Sequence, residues 1–230
     1  MLTLAIDTST LSGSIAVLRQ ERVLGILGIV AEETYSSRLF RHLKYLLEEL
    51  QLSLNEFDLF AVAAGPGSFT GLRIGLTAAK GWAEVFSKPV IGLSVLEAIA
   101  VRATTPAPAV VSLLDARRGQ IFGAVYERSD GRLVRRGEEW VLTPEEMLEK
   151  LVELTALESI AFVSPTPEVI EPYLVHASLH NMPVERTSPL LAAEIGRLGY
   201  QRAIGGEAID PIGLDANYVR RSDAELKWRD

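Results

Sequence analysis

The chain has 230 residues, enough for one large domain or two small ones, and its 48% hydrophobic and 23% charged residues are ordinary for a protein with a packed core. It has no cysteine, which excludes disulfides, thiolate metal sites and a cysteine nucleophile. A formal net charge of -7 argues against broad direct contact with a polyanion, because nucleic-acid affinity rests on Lys and Arg neutralising phosphates.

Leu2 to Ile6 reads as a buried strand, Ser12 to Leu18 as a second and Val23 to Val30 as a third, with Gln20-Glu21 as the tight turn between the last two. Asp7 stops the first apolar stretch far short of membrane-spanning length and no basic residue precedes it, so neither a targeting segment nor a membrane anchor is expected; the expected location is the cytoplasm. From Ser36 the pattern changes. Leu39, Phe40, Leu43, Leu46, Leu47 and Leu50 recur at three and four, which predicts a helix with an apolar stripe. Phe57 to Ala64 is then a short apolar strand, Leu72 to Phe86 a second helix and Val90 to Leu93 another strand. Ser94-Val95-Leu96-Glu97 has the form of a capping box opening a further helix. Thr104-Thr105-Pro106-Ala107-Pro108 breaks it and marks the expected boundary between lobes at 1–105 and 106–230.

After the break the same order returns. Ala109 to Leu114, Gln120 to Glu127 and Leu133 to Val141 read as strands, with turns at Asp115 to Gly119 and Ser129-Asp130-Gly131. Thr143-Pro144-Glu145-Glu146 opens a helix with Pro at its first position and a capping box, and Ser159 to Val163 is again a short strand before more helix. Laying each residue on the one 108 later pairs Asp7 with Asp115, Ala16 with Ala124 and Val17 with Val125, which points to an internal duplication. Three meander strands, then a strand reached through a helix, make a mixed sheet with flanking helices. The fold class expected is therefore α/β, two-lobed and duplicated, with a cleft between the lobes. This order resembles the actin, sugar kinase and Hsp70 superfamily, an actin-like (ASKHA, ribonuclease H-like) fold whose two strand-Asp-turn-strand hairpins hold nucleotide phosphates. By that resemblance Asp7, Thr8, Ser9, Thr10 and Asp115 are the nucleotide-binding candidates, with Ser9 standing where the superfamily carries glycine. A plain hydroxyl-rich turn capped by the Asp side chain is the alternative reading of the first hairpin, and a solvated turn with Arg117 and Arg118 that of the second.

The run Gly65-Pro66-Gly67-Ser68-Phe69-Thr70-Gly71-Leu72-Arg73-Ile74-Gly75 poses a second choice. Glycines before a helix N-terminus form anion sites, yet neither phosphate-loop spacing is present. Gly71, Gly75, Ala79 and Ala83 are instead spaced by four, a stripe along which another helix could approach closely, either within the lobe or from a partner. His176 and His180 have metal-ligand spacing without a matching third ligand, so no metal site is assigned.

Ile6-Asp7-Thr8-Ser9-Thr10, the glycine run, Lys88-Pro89-Val90-Ile91-Gly92-Leu93-Ser94 and Asp115-Ala116-Arg117-Arg118-Gly119-Gln120 together resemble the TsaB (YeaZ) family, accessory subunits in the synthesis of threonylcarbamoyladenosine in transfer RNA. The resemblance implies a subunit with no catalytic residues and no cofactor of its own. ATP or ADP and metal are then expected on the partner subunits. Those partners are a TsaD-like catalytic paralogue and a TsaE-like ATPase, with tRNA held only through the complex and a homodimer when the chain is alone. Pairing through the two N-terminal helices makes Leu39, Leu43, Leu46, Leu47, Gly71, Arg73, Gly75, Ala79, Trp82 and Ala83 the expected partner interface. The paralogue's metal-binding His-x-x-x-His falls on Val95 and Ile99, neither of which has a donor atom. The alternative function is an active ATP-dependent phosphotransferase of the sugar kinase type, against which stands the missing glycine at Ser9. A glycoprotease reading has no protease constellation behind it.

Overall fold

The computed structural model describes residues 1–30, 38–154, 159–174 and 181–220, and the chain divides into two compact units. The first contains Met1–Ala98 and Pro189–Tyr218. Its sheet is built from β1 (Leu2–Asp7), β2 (Ser12–Arg19), β3 (Arg22–Val30), β4 (Leu59–Gly65) and β5 (Val90–Ser94), in the order β3-β2-β1-β4-β5. β1 pairs antiparallel with β2 and parallel with β4, so it lies in the middle of a sheet covered on both faces. That position explains why Leu2-Thr3-Leu4-Ala5-Ile6-Asp7 is buried at every residue and its sequence does not alternate.

One face of this sheet carries α1 (Leu39–Leu50) and α2 (Phe69–Phe86). Leu39, Leu43 and Leu46 from α1 and Leu72, Leu76, Ala79 and Ala83 from α2 join Leu4, Ile6, Ile15, Val17, Phe60 and Val62 in one core cluster. The opposite face is covered by α6 (Ala192–Ile204), whose buried side is Ala192, Ala193, Ile195, Gly196 and Gly199. These small residues let α6 lie directly on Ala5, Leu18 and Ala61 of the strands. A further tie is the Ala192 amide donating to the Ser14 hydroxyl at 3.0 Å. The expected second lobe, 106–230, is corrected here: residues 189–218 belong with the first unit. Small residues spaced for a sheet face carry no mark of which sheet they cover, which is why chain order misplaced α6.

The second unit, which includes Ile99–Ser188, repeats the plan. β6 (Ala109–Arg117), β7 (Gln120–Ser129), β8 (Arg132–Leu142), β9 (Ile160–Ser164) and β10 (Val184–Arg186) run in the order β10-β9-β6-β7-β8, the mirror listing of the first sheet element by element. α4 (Pro144–Leu154) packs Met147 and Leu151 against Val111, Leu113, Ile121 and Val125, and the one-turn α5 (Glu171–Leu174) adds Leu174 to the same cluster. It starts as expected: the Glu146 amide donates to the Thr143 hydroxyl, and the Thr143 amide to the Glu146 carboxylate at 2.8 Å. The Asp130-Gly131 turn between β7 and β8 has φ of 50° and 76°, the left-handed pair that a two-residue hairpin needs. In α3 (Val95–Ala100) only half of the expected box forms. The Glu97 amide donates to the Ser94 hydroxyl at 3.2 Å, while the Glu97 carboxylate turns to Arg202.

The duplication is therefore structural, with one refinement. Asp7 and Asp115, 108 residues apart, face Ser14 and Ile121 across their hairpins, which are only 107 apart. The second hairpin is one residue shorter, so the Ala16–Ala124 and Val17–Val125 matches fall out of register by one.

Candidate functional site

The glycine run and the first hairpin, assigned above to separate sites, meet. β4 ends at Gly65, the chain turns through a cis Gly65–Pro66 bond, and the Ser68 amide donates to the Ser9 carbonyl at 2.7 Å. Ser68 then caps α2, its hydroxyl accepting from the Gly71 amide at 3.3 Å. The Thr8 hydroxyl donates to the Gly71 carbonyl at 2.7 Å. A Cβ on Gly71 would strike the Thr8 carbonyl oxygen, and one on Gly75 would strike the Thr8 hydroxyl. The glycines are there so that the first turns of α2 can lie on the Asp7-Thr8-Ser9 loop.

Asp7, Thr8 and Ser9 are consequently buried, and their polar groups are mostly used on one another. Asp7 Oδ1 accepts from the Ser9 amide at 2.9 Å and from the Ser9 hydroxyl at 2.6 Å. Asp7 Oδ2 has no hydrogen-bond partner of ordinary geometry among the described residues. Burial pushes the Asp7 carboxyl up to about 6, against the lowering effect of the Ser9 bonds and the Leu191 amide. The structure closes Asp7, Thr8 and Ser9, three of the nucleotide-binding candidates, under α2, and of the four hairpin residues Thr10 alone is partly exposed.

Asp115 lies in the second unit. It repeats the first hairpin's turn, its Oδ1 accepting from the amide two residues on, Arg117, at 2.7 Å. Its other oxygen faces the Arg117 guanidinium at 3.6 Å, and Arg220 holds the same hairpin through the Ala116 carbonyl and Gln120 side chain. The turn-capping reading therefore describes both hairpins. His176 and His180 lie outside the described residues, among which no three His, Asp or Glu are grouped to hold a metal ion. Val95 and Ile99 are fully buried.

The residues of the expected interface divide between core and surface. Gly75, Ala79 and Ala83 face the sheet beneath α2, and Leu39, Leu43 and Leu46 face it from α1. All six are buried in the lobe's own core, and Leu43 also lines an outer groove. What the two helices leave outside is a different set. Phe40 is 58% exposed, its ring edge-on to Trp82 at 6.1 Å, and this ridge separates two shallow apolar grooves. One, of about 360 Å³, runs along α1 past Leu43, Leu47, Leu52 and Leu54. The other, of about 630 Å³, runs along α2 past Phe69, Ile74, Thr77, Ala78 and Gly81. Arg73, Leu47 and Trp82 from the expected interface do border these grooves, and Gly71 stays half-buried at the start of α2.

Sequence reasoning missed Phe40, Thr77 and Gly81. The signal was present for the first: adjacent Leu39 and Phe40 cannot both face one core on a helix with 3.6 residues per turn. Gly81 is exposed in mid-helix, and a Cβ there would meet nothing within 4 Å, so no contact inside the lobe explains it.

Two duplicated mixed sheets with flanking helices define an actin-like protein. The likeness to the ADPNP-bound activator of 2-hydroxyisocaproyl-CoA dehydratase from Clostridium difficile shows the same fold, with a TM-score of 0.53 at 11% identity over 90% of this chain and 97% of that one. The family model for tRNA N6-adenosine threonylcarbamoyltransferase (TsaD) matches residues 10–186. The tRNA threonylcarbamoyladenosine biosynthesis protein TsaB of Bacillus subtilis is 30% identical over 99% of this chain and 98% of its own length. YeaZ from Pseudomonas aeruginosa superposes with a TM-score of 0.77 at 27% identity, covering 94% of this chain and 99% of that structure. The chain belongs to the TsaB (YeaZ) family, whose named members are tRNA threonylcarbamoyladenosine biosynthesis proteins.

Proposed function

We propose that this chain is a non-catalytic subunit of the assembly that places a threonylcarbamoyl group on adenosine in tRNA, docking on a TsaD-like catalytic paralogue through the outer faces of α1 and α2. The observation that carries the reading is the Phe40–Trp82 ridge with an apolar groove on either side, left uncovered by the lobe that builds it. A shape of this kind accepts the ridges of another helix pair, and a paralogue with the same duplicated plan has such a pair to offer.

The absence of catalysis is supported by the side chains themselves. By the family resemblance Val95 and Ile99 stand where the paralogue has its two metal-binding histidines, and hydrocarbon side chains donate nothing to a metal. At the first hairpin, Thr8 and Ser9 have their hydroxyls committed to Gly71 and Asp7. Nucleotide and metal then belong to the catalytic paralogue and a TsaE-like ATPase, tRNA is held by the complex, and the chain works in the cytoplasm. Without its partner the same apolar face pairs with a second copy of itself.

The experiment is reconstitution: purified catalytic paralogue, ATPase subunit, adenylate-forming enzyme, tRNA, threonine, bicarbonate and ATP, with modified adenosine measured with and without this chain. Product that depends on the chain, and none from the chain alone with ATP and tRNA, is the result expected. Equal product without it contradicts the proposal.

A further inference from the structure

The outer strip of α2 carries two exposed charged side chains, Arg73 and Glu84. Arg73 is exposed, yet its guanidinium is not loose. It lies over the Phe69 ring, 3.8 Å from the centroid, and its Nε donates to the Tyr218 hydroxyl at 3.4 Å. Tyr218 in turn stacks on Phe69, ring centroids 4.8 Å apart. The stack and the bond restrain the guanidinium and leave both terminal nitrogens without a partner among the described residues. An arginine held in this way has already lost the side-chain entropy that binding would otherwise cost, and its free edge matches a carboxylate in two-pronged geometry. Eleven residues on, Glu84 is exposed and has no ion pair or side-chain hydrogen bond among the described residues. Eleven residues are close to three helical turns, so Arg73 and Glu84 share one line along the helix. Between them on the same side lie Thr77 and Gly81, four apart and both exposed. Gly81 lowers helix stability without any contact inside the lobe to account for it.

We infer that Arg73 and Glu84 set the orientation of the partner helix on α2: the helix that docks there crosses closely at Gly81, with a carboxylate opposite Arg73 and a basic side chain opposite Glu84. This rests on the docking reading above and goes beyond it, naming the charge pattern the partner must present. Apolar ridges of two helix pairs can seat in either direction. Opposite charges near the two ends of the strip favour one direction and place like charges together in the other. Arg73 is a specificity-determining residue in this account, and Phe69 and Tyr218 are positioning residues that hold its guanidinium flat.

The test measures binding of full-length variants to the same organism's TsaD-like paralogue by calorimetry at two salt concentrations. Circular dichroism melts confirm that each variant is folded. Phe40→Asp reports on docking itself, while Arg73→Ala, Arg73→Lys and Phe69→Leu report on the charge pattern. The expected result is loss of binding for Phe40→Asp and a weakening of about tenfold or more for Arg73→Ala. Arg73→Lys and Phe69→Leu should fall between that and the wild type, with a smaller salt dependence for Arg73→Ala. Arg73→Glu should be rescued by reversing one acidic residue on the paralogue's docking helix. If Phe40→Asp abolishes binding while every Arg73 variant binds as the wild type does at both salts, the inference is overturned and the docking surface stands. If Phe40→Asp also binds normally, the docking reading itself falls and takes the inference with it. If the Arg73 variants change only self-association, measured by sedimentation, the strip is matched to a second copy and the inference is likewise overturned.

Discussion

Asp7 shows how a motif residue can keep its place and lose its exposure. Its carboxyl is buried, Oδ2 has no partner of ordinary geometry among the described residues, and burial pushes its pKa up to about 6 from an ordinary 3.8. Because the folded value is the higher one, the unfolded chain ionises first as pH rises, so stability falls between about pH 4 and pH 6 and is lowest above the folded pKa. The gap corresponds to about 3 kcal/mol. Thermal melts from pH 4 to pH 7 should show this decline, and Asp7→Asn, which keeps an acceptor for the Ser9 amide and hydroxyl, should flatten it. A decline unchanged in Asp7→Asn would assign the effect to another group. Gly75 supplies a second residue-scale prediction. A side chain there meets the Thr8 hydroxyl, so Gly75→Leu should lower stability by roughly 1 to 3 kcal/mol, the range for overpacking a core, in urea melts of the isolated chain. A Gly75 variant as stable as the wild type would mean that the stripe is not packed as described. What the sequence showed at this scale was residue identity and spacing. It did not show direction, since a four-residue spacing of small side chains fits a neighbour inside the lobe as well as one outside.

The elements were legible for reasons that are local. Leu2 to Ile6, Phe57 to Ala64 and the leucines from 39 to 50 declare strand and helix through their own periodicity, and Thr143 with Glu146 declares a helix start through hydrogen bonds three residues apart. Long-range choices were not legible: α6 follows the second sheet in the chain but covers the first. The outward face of α2 was hidden for a related reason. Gly71, Gly75, Ala79 and Ala83 drew attention away from Thr77 and Gly81, a shift of about half a turn that only the packed helix resolves. Gly81 allows that face to be probed in isolation. Gly81→Ala fills open space on a helix interior, so it should raise the stability of the free chain by roughly 0.5 to 1 kcal/mol in urea unfolding. A loss of stability there would reveal a contact inside the lobe that the structure does not show.

For the whole molecule, the duplication explains how one plan can serve a second role. Both units keep the five-strand order and the Asp that caps its own hairpin, through the Ser9 and Arg117 amides respectively. In the first unit α2 closes the hairpin from above, while α1 and α2 turn a ridge and two grooves outward. The Thr8 and Ser9 hydroxyls are committed to Gly71 and Asp7, and on the function proposed above the outward ridge and grooves engage the catalytic subunit. The most direct measurement is the yield of modified adenosine in the reconstituted assembly as this chain is titrated in, wild type against Phe40→Asp. Phe40 is exposed and outside the core, so the variant should fold normally and yet require about tenfold more protein, or more, to reach the same yield. Superimposable titrations for the two proteins would contradict the claim that this face engages the catalytic subunit.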